Sequence, residues 1–387
     1  MKILHTGDWH IGKVVNDFSM LEDQEYILQQ LFDIIKLEKP DAIIISGDVY
    51  DRSIPAKEAV ELLDDTLTTI IEKYQVPTFI IAGNHDSQER LSFASKLLSH
   101  KGLFIEGTLT GETRKITLKD DYGVVNFYLV PYSHPAVISS VYNIETINNY
   151  QEAFTVILNK LKSKLNTNER NIFVTHNYIV SNVDEIIASD SERSLSIGGA
   201  DYIDVSLVED FDYVALGHLH QGQKVKKENI RYSGSLLKYS FSEVNHRKSV
   251  VIVDLNEKGN CTYALHDLKP KRDMRIIEGE LKTLLRPEFY HKFNRLDYIL
   301  AKLTDTEDLY DPLNRLRAVY PNIMQIERNN IITNVESVTK AKGDYQNKSK
   351  LQLFSEFYQN IIGKKMSDKG ERLLKDVLDE TKLGDIL

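Results

Sequence analysis

The sequence predicts an α/β fold of two sheets flanked by helices, followed by a small α+β module and a helical tail. Three observations predict it: short β-rich apolar runs bounded by turn residues, helical stripes alternating with the first of those runs, and a polar break near residue 333 with two amphipathic segments beyond it.

The runs cover residues 2–6, 42–46, 78–82, 124–130, 172–175 and 213–216. Lengths of four to seven residues with apolar side chains at successive positions suit strands buried on both faces. Between the first three runs lie two helical patterns. Leu21, Ile27, Leu28, Leu31, Ile34 and Ile35 form one stripe; Val60, Leu63, Leu67, Ile70 and Ile71 form another, opened by Pro55. Strand and helix alternate, so the first half reads as a sheet covered on both faces. From about Arg231 the pattern turns strand-rich, and residues 249–255 and 262–268 read as a hairpin around Glu257-Lys258-Gly259-Asn260 that completes a second sheet. Residues 271–332 mix short strands with a helix over 312–319, a small α+β module. Residues 333–350 are polar and read as a linker. Beyond them Leu351, Phe354, Phe357, Tyr358 and Ile361 share one helical face, Gly363 interrupts, and Leu373, Leu374, Val377 and Leu378 line a second helix. Two such helices either fold back on the main domain or dock on a partner helix pair. The predicted division is therefore 1–270, 271–332, 333–350 and 351–387.

A chain of 387 residues with 42% hydrophobic content fills a proper core. Its net charge of −9 means that the whole molecule does not attract polyanions, so any nucleic-acid binding needs a local positive source. Lys13, Lys224, Lys226 and Lys227 are candidates for that source. Cys261 is the single cysteine, which excludes an internal disulfide framework and a thiolate zinc cluster. The amino terminus turns polar within a few residues and no apolar run approaches the roughly 20 residues of a membrane span. A cytoplasmic protein without a membrane contact is expected.

Five polar clusters each follow a predicted strand: Gly7-Asp8-Trp9-His10, Gly47-Asp48-Val49-Tyr50-Asp51-Arg52, Gly83-Asn84-His85-Asp86, His176-Asn177 and Gly217-His218-Leu219-His220. The carboxyl ends of strands in an α/β sheet open onto one crevice, where groups distant in sequence converge. The glycines ahead of Asp8, Asp48, Asn84 and His218 are expected to let the backbone turn sharply as it leaves each strand. Asp8, His10, Asp48, Asn84, His176, His218 and His220 supply carboxylate, amide and imidazole donors without sulfur, a set suited to manganese, iron(II) or zinc. Asp48, in the central cluster, is the natural bridge between two ions. Trp9, between two ligands, either stacks on a base or packs beneath the site. The loop 181–199 is either a gate or an ordinary connection.

In combination these motifs resemble the calcineurin-like metallophosphoesterase superfamily. GDWHIGK, GDVYDR, GNHD and GHLH, with Tyr232-Ser233-Gly234-Ser235 and Tyr239-Ser240-Phe241-Ser242-Glu243, resemble more closely the SbcD family of bacterial DNA-repair nuclease subunits. The likeness runs over about the first 330 residues, and Leu236-Leu237 stands where relatives often carry proline. The resemblance implies a two-sheet metallophosphoesterase sandwich, a capping domain over 271–332 and a tail that docks on the coiled-coil ATPase SbcC. It implies two divalent ions, Mn2+ above all: one on Asp8, His10, Asp48 and His220, the other on Asp48, Asn84, His176 and His218. His85 then faces the substrate phosphate as a catalytic residue, and Asp51 hydrogen-bonds His85 to fix its orientation. The implied activity is endonuclease and 3′–5′ exonuclease cleavage of DNA, by a homodimer within a heterotetramer. The helix expected after Asp86, with Phe93, Ala94, Leu97 and Leu98, is either buried in the domain or pairs across the dimer axis. Two ions clamp the phosphate and activate water, so no serine or cysteine nucleophile is required. A small-molecule metallophosphodiesterase and a non-catalytic scaffold are the alternatives.

Overall fold

The computed structural model describes residues 1–181, 188–192, 202–328, 349–362 and 365–384. Most of the expected loop 181–199, the expected linker as far as residue 348, and Gly363 lie outside the described residues. The chain forms two compact units, Met1–Ile276 with Leu296–Ile299, and Ile277–Arg295 with Leu300–Leu387.

The first unit holds two six-stranded sheets. One runs in the order Cys261–Asp267, Ser249–Leu255, Lys2–Thr6, Ala42–Ile45, Thr78–Ile81 and Leu103–Glu106. Its last four strands are parallel, and the hairpin of the first two joins Lys2–Thr6 antiparallel. The other runs Gln223–Val225, Lys227–Tyr232, Tyr213–Gly217, Arg170–His176, Gly123–Val130 and Arg114–Asp120, with its four central strands parallel. The hairpin therefore extends the first sheet, which corrects its expected place in the second. Local pattern marks it as a hairpin, but its partner is chosen by the apolar face it offers. Val251, Val253 and Leu255 enter the core between the sheets beside Ile3 and Ile44.

That core makes the two sheets a sandwich. Ile3, Ile44, Phe79 and Ile81 from one sheet meet Val125, Phe127, Leu129, Ile172 and Val174 from the other, and the Phe79 and Phe127 rings stack with centroids 4.2 Å apart. Each fully buried side chain of this kind stabilises the fold by roughly 1.5–3 kcal/mol. The outer face of the second sheet is covered by the helix Tyr150–Lys162, whose Phe154, Ile157 and Leu158 join Phe173, Val214 and Leu216. The helix Leu21–Glu38 buries the expected stripe from Ile27 to Ile35 and stops at Lys39, which takes a left-handed conformation ahead of Pro40. Buried among the same residues are two polar side chains, Asp23 and Gln24.

After Asp86 the expected helix is replaced by two single turns, Gln88–Leu91 and Ser95–Leu98. The break falls at Ala94, whose φ of 57° lies in the left-handed region and ends the first turn. It leaves Phe93 and Leu97 81% and 73% exposed, so the reading that buries them in the domain does not hold.

A three-stranded sheet runs in the order Met274–Gly279, Tyr298–Leu303, Ile323–Arg328, and the helix Pro312–Arg317 belongs to the second unit. Leu281, Leu284, Leu303, Leu316, Tyr320 and Ile323 are buried there. The helices Lys350–Ile362 and Asp368–Gly384 follow, with Phe354, Phe357, Leu373 and Val377 exposed. Among the described residues, no helix is long and apolar enough to cross a membrane.

Candidate metal centre

Strands of both sheets end on the same side of the sandwich, and the five polar clusters meet there. The loops that carry them are stitched together by main-chain hydrogen bonds, Asp8 N–H to Gly47 O at 3.0 Å and His10 N–H to Asp48 O at 2.9 Å. The sharp turns are made by the donor residues themselves. Asp8, His10, Asp48 and His218 have φ of 52°, 45°, 48° and 106°, a conformation costly for a residue with a side chain and characteristic of functional sites. Of the four glycines expected to turn the chain, only Gly47 has positive φ, at 96°. Gly83 and Gly217 serve close approach instead: a Cβ there would lie 2.1 Å from Asp48 Oδ1 and 2.0 Å from Ser46 O. A larger residue at Gly83 would displace Asp48 on the neighbouring strand of the same sheet, and one at Gly217 would push against Ser46 of the other sheet.

All seven expected donors are brought together. Asp8, His10 and His220 place ligand atoms within 4.8 Å of one another, as do Asp8, Asp48 and His176. His10 Nε2 lies 3.0 Å from His220 Nε2, and Asn84 Oδ1 lies 3.0 Å from His176 Nε2 and 3.3 Å from His218 Nδ1. Asp48 Oδ2 sits between the two groups, 3.6 Å from His10 Nε2 and 3.4 Å from His176 Nε2.

Hydrogen-bond chemistry shows what this arrangement lacks. His176 Nδ1 lies 2.8 Å from the Ser46 carbonyl, which can only accept, so Nδ1 carries a hydrogen and Nε2 is the nitrogen turned toward Asn84 and Asp48. His220 Nδ1 faces the Glu243 carboxylate at 3.2 Å, so it too carries a hydrogen and Nε2 is the nitrogen turned toward His10. With a neutral ring, His176 Nε2, Asn84 Oδ1 and Asp48 Oδ2 are three acceptors crowded together, and either a proton on Nε2 or a cation is needed to reconcile them. A cation satisfies such a set, and the donors fit a pair of divalent ions of the manganese, iron or zinc type.

With protons alone the same crowding appears as displaced pKa values. Burial pushes Asp8 up to about 7, against the pull of His176 and His220. Burial opposes charge on His176 as well, but Asp48 and Asp8 outweigh it and raise His176 to about 9. Burial, reinforced by His176, drags His218 down to about 3. One histidine thus acts as a substitute cation.

The remaining expectations meet mixed outcomes. His85 is buried, and its N–H donates to Asp48 Oδ1 at 2.9 Å. The expected hydrogen bond between Asp51 and His85 is made by the main chain: His85 Nδ1 donates to the Asp51 carbonyl at 2.8 Å, while the Asp51 carboxylate stands 4.0 Å from that nitrogen. That carboxylate accepts from Lys13 Nζ at 2.6 Å, so Lys13 stands paired with a counter-charge of the chain. Lys226 and Lys227 pair with Glu209 at 2.7 Å, and Lys224 pairs with Glu228, so each brings its own counter-charge. Trp9 is 1% exposed and donates from Nε1 to Thr6 Oγ1 at 3.0 Å, which decides for packing beneath the site and against stacking on a base.

Sequence reasoning missed the residues that hold the loops. Gln24 donates to His10 O at 2.7 Å and accepts from Gly12 N–H at 2.9 Å; the Tyr239 hydroxyl donates to Trp9 O at 2.5 Å. Asp86 accepts from Val49, Tyr50 and Gly83 N–H at 3.1, 2.9 and 2.9 Å, tying the second cluster to the third. A polar Gln24 inside an apolar helical stripe was the available signal for the first of these.

Comparison with known proteins agrees with this geometry. Residues 1–222 match the calcineurin-like phosphoesterase family, and residues 270–361 match the family described as the type 5 capsule protein repressor C-terminal domain. The chain belongs to the calcineurin-like phosphoesterases. Within them it is 35% identical to the SbcD subunit of the nuclease SbcCD from Staphylococcus epidermidis, over 98% of this chain and 99% of that one. It is 34% identical to the protein of the same name from Staphylococcus saprophyticus, over 98% and 99%. Among solved structures, a dimetal phosphatase from Danio rerio is similar at 12% identity and a TM-score of 0.43, covering 69% of this chain and 98% of that one.

Proposed function

We propose that this chain is a two-metal DNA nuclease of the SbcD type, an endonuclease and 3′–5′ exonuclease that works in the cytoplasm with an SbcC-type ATPase in DNA repair and hairpin processing. The observation that carries the reading is the position of Asp48, within 3.6 Å of donors from both groups. One cation is held by Asp8, His10, Asp48 and His220, the other by Asp48, Asn84, His176 and His218, with Mn2+ the preferred metal. Such a pair, when bound, lowers the pKa of water and offsets the charge of the phosphate.

The chain's own residues do the rest. Asn84 Oδ1 and the fixed tautomers of His176 and His220 present lone pairs inward without reorganisation. His85, with its Nδ1 hydrogen committed to the Asp51 carbonyl, turns Nε2 toward the centre, where it holds a phosphate oxygen or passes a proton to the leaving oxygen. Lys13 neutralises Asp51, so the carboxylate does not repel the substrate. Residues 271–332 serve as a capping domain, and the apolar faces of the two terminal helices dock on the ATPase. The exposed Phe93 and Leu97 serve the pairing of two copies, giving a homodimer within a heterotetramer.

The test is to incubate Mn2+-loaded protein with a DNA hairpin and, separately, with bis-para-nitrophenyl phosphate. Cleavage of both is expected. Cleavage of the small ester alone would move the assignment to a small-molecule diesterase, and cleavage of neither would leave only a scaffold.

A further inference from the structure

The two imidazoles whose tautomers are fixed most plainly differ in what fixes them. His176 leans on the neutral carbonyl of Ser46. His220 leans on Glu243, a carboxylate buried without any exposure in the middle of the domain. A buried carboxylate needs a counter-ion, and Lys248 provides it: Nζ donates to Glu243 Oε2 at 2.6 Å. The same ammonium donates to the His220 carbonyl at 2.8 Å and to Ser235 Oγ at 2.8 Å. His220 is therefore gripped twice by one ion pair, at its ring through Glu243 and at its main chain through Lys248. Ser191 Oγ lies 2.7 Å from the same ring nitrogen and donates to Glu243 Oε1, so the carboxylate reaches the ring both directly and through this hydroxyl.

None of these groups faces the donors directly, so their influence must pass through His220. An imidazole that donates to a carboxylate is a stronger base at its other nitrogen than one that donates to an amide carbonyl, because charge-assisted hydrogen bonds are the stronger kind. The ring is also held in one orientation, so no rotamer freedom is lost when a cation arrives. We propose that Glu243, neutralised by Lys248, is a positioning residue that makes the cation position served by His220 the tighter of the two. This rests on the two-cation reading above. Manganese then enters in two steps, and the position of Asp8, His10 and His220 fills first.

Titration of the full-length, metal-stripped protein with Mn2+ alone, followed by the paramagnetic resonance signal of free Mn2+, reads this without any activity. Wild type should take up two ions in distinguishable steps. Glu243→Gln keeps an oxygen for the ring but loses the charge, and should weaken the tighter step by about 10- to 100-fold while the weaker step moves by less than about threefold. Should that variant fold poorly, Glu243→Gln with Lys248→Met replaces the buried pair by neutral groups, a change such pairs often tolerate, and should show the same selective loss. Two unchanged steps in the folded variants, or equal weakening of both, would overturn the inference while leaving the two-cation reading intact. Failure of wild type to bind any Mn2+ would remove that reading, and the inference with it.

Discussion

Two buried polar clusters lie at opposite ends of the same strands, and they are built on opposite terms. At the amino-terminal ends, Arg170 donates to both oxygens of Asp120 and to the carbonyls of Gly123, Leu255 and Asn256, and the Met1 amine closes the group at 2.7 Å from Asp120. Every charge there has its complement within the chain. At the carboxyl-terminal ends, Asp8 and Asp48 face five imidazoles and an amide oxygen, and acceptors stand against acceptors. The first cluster neutralises its own charges, whereas the second sets acceptors against acceptors. Identical carboxylates therefore meet an internal guanidinium at one end and imidazoles at the other.

The largest effect that could break this contrast is at the bridge. Asp48→Ala should lower ester hydrolysis by roughly 10⁴-fold or more, about 5 kcal/mol of barrier, and reduce bound manganese measured by elemental analysis. Activity within tenfold of wild type would end the comparison. At the opposite end, Arg170→Met leaves Asp120 with the terminal amine and the Tyr122 N–H and should cost about 3–5 kcal/mol in denaturant unfolding, equally with and without metal. A metal-dependent loss there would mean that the clusters are not independent.

His85→Ala sharpens the contrast within the metal end by separating capture from turnover. Both metals should remain by elemental analysis, while turnover falls by roughly 10²- to 10³-fold. Adding Mn2+ at about a hundred times its dissociation constant should stabilise wild type by about 2.7 kcal/mol, read as a rise in melting temperature that EDTA reverses. Asp48→Ala should show little of that rise.

The smallest effect concerns pH. Burial would raise the Asp120 carboxyl, but Arg170 and the amino terminus outweigh it and hold it below its ordinary value of 3.8. Its folded pKa is thus depressed, so its contribution is fully present above the unfolded value and disappears as pH falls through the folded one. The stability gap between wild type and Asp120→Asn should be constant near neutrality and close only below about pH 4. A gap that persists unchanged into strong acid would show that the ion pair is not its source.

Much of this was legible in the residues. The runs 2–6, 42–46 and 78–82 form strands within a residue of where they were expected, because apolar, β-branched segments of that length have few other ways to be buried. Six of the seven donors follow strands as expected, and the seventh, His176, is the last residue of one. Placement by long-range pairing was not legible: the hairpin at 249–267 carries no local mark of which sheet it joins, and Ala94 carries none of the left-handed break that turns Phe93 outward.

The contrast between these residues and the others marks the limit of sequence. By itself the sequence determined which elements form and which side chains can donate to a cation, because periodicity and donor chemistry are properties of neighbours along the chain. Only the tertiary structure decided that Asp51 holds His85 through its carbonyl, that Lys13 is paired with Asp51, and that Glu243 with Lys248 stands behind His220. Those outcomes depend on angles and on distances of a few ångströms between residues tens to hundreds of positions apart, and hydrogen bonding is decided at that scale.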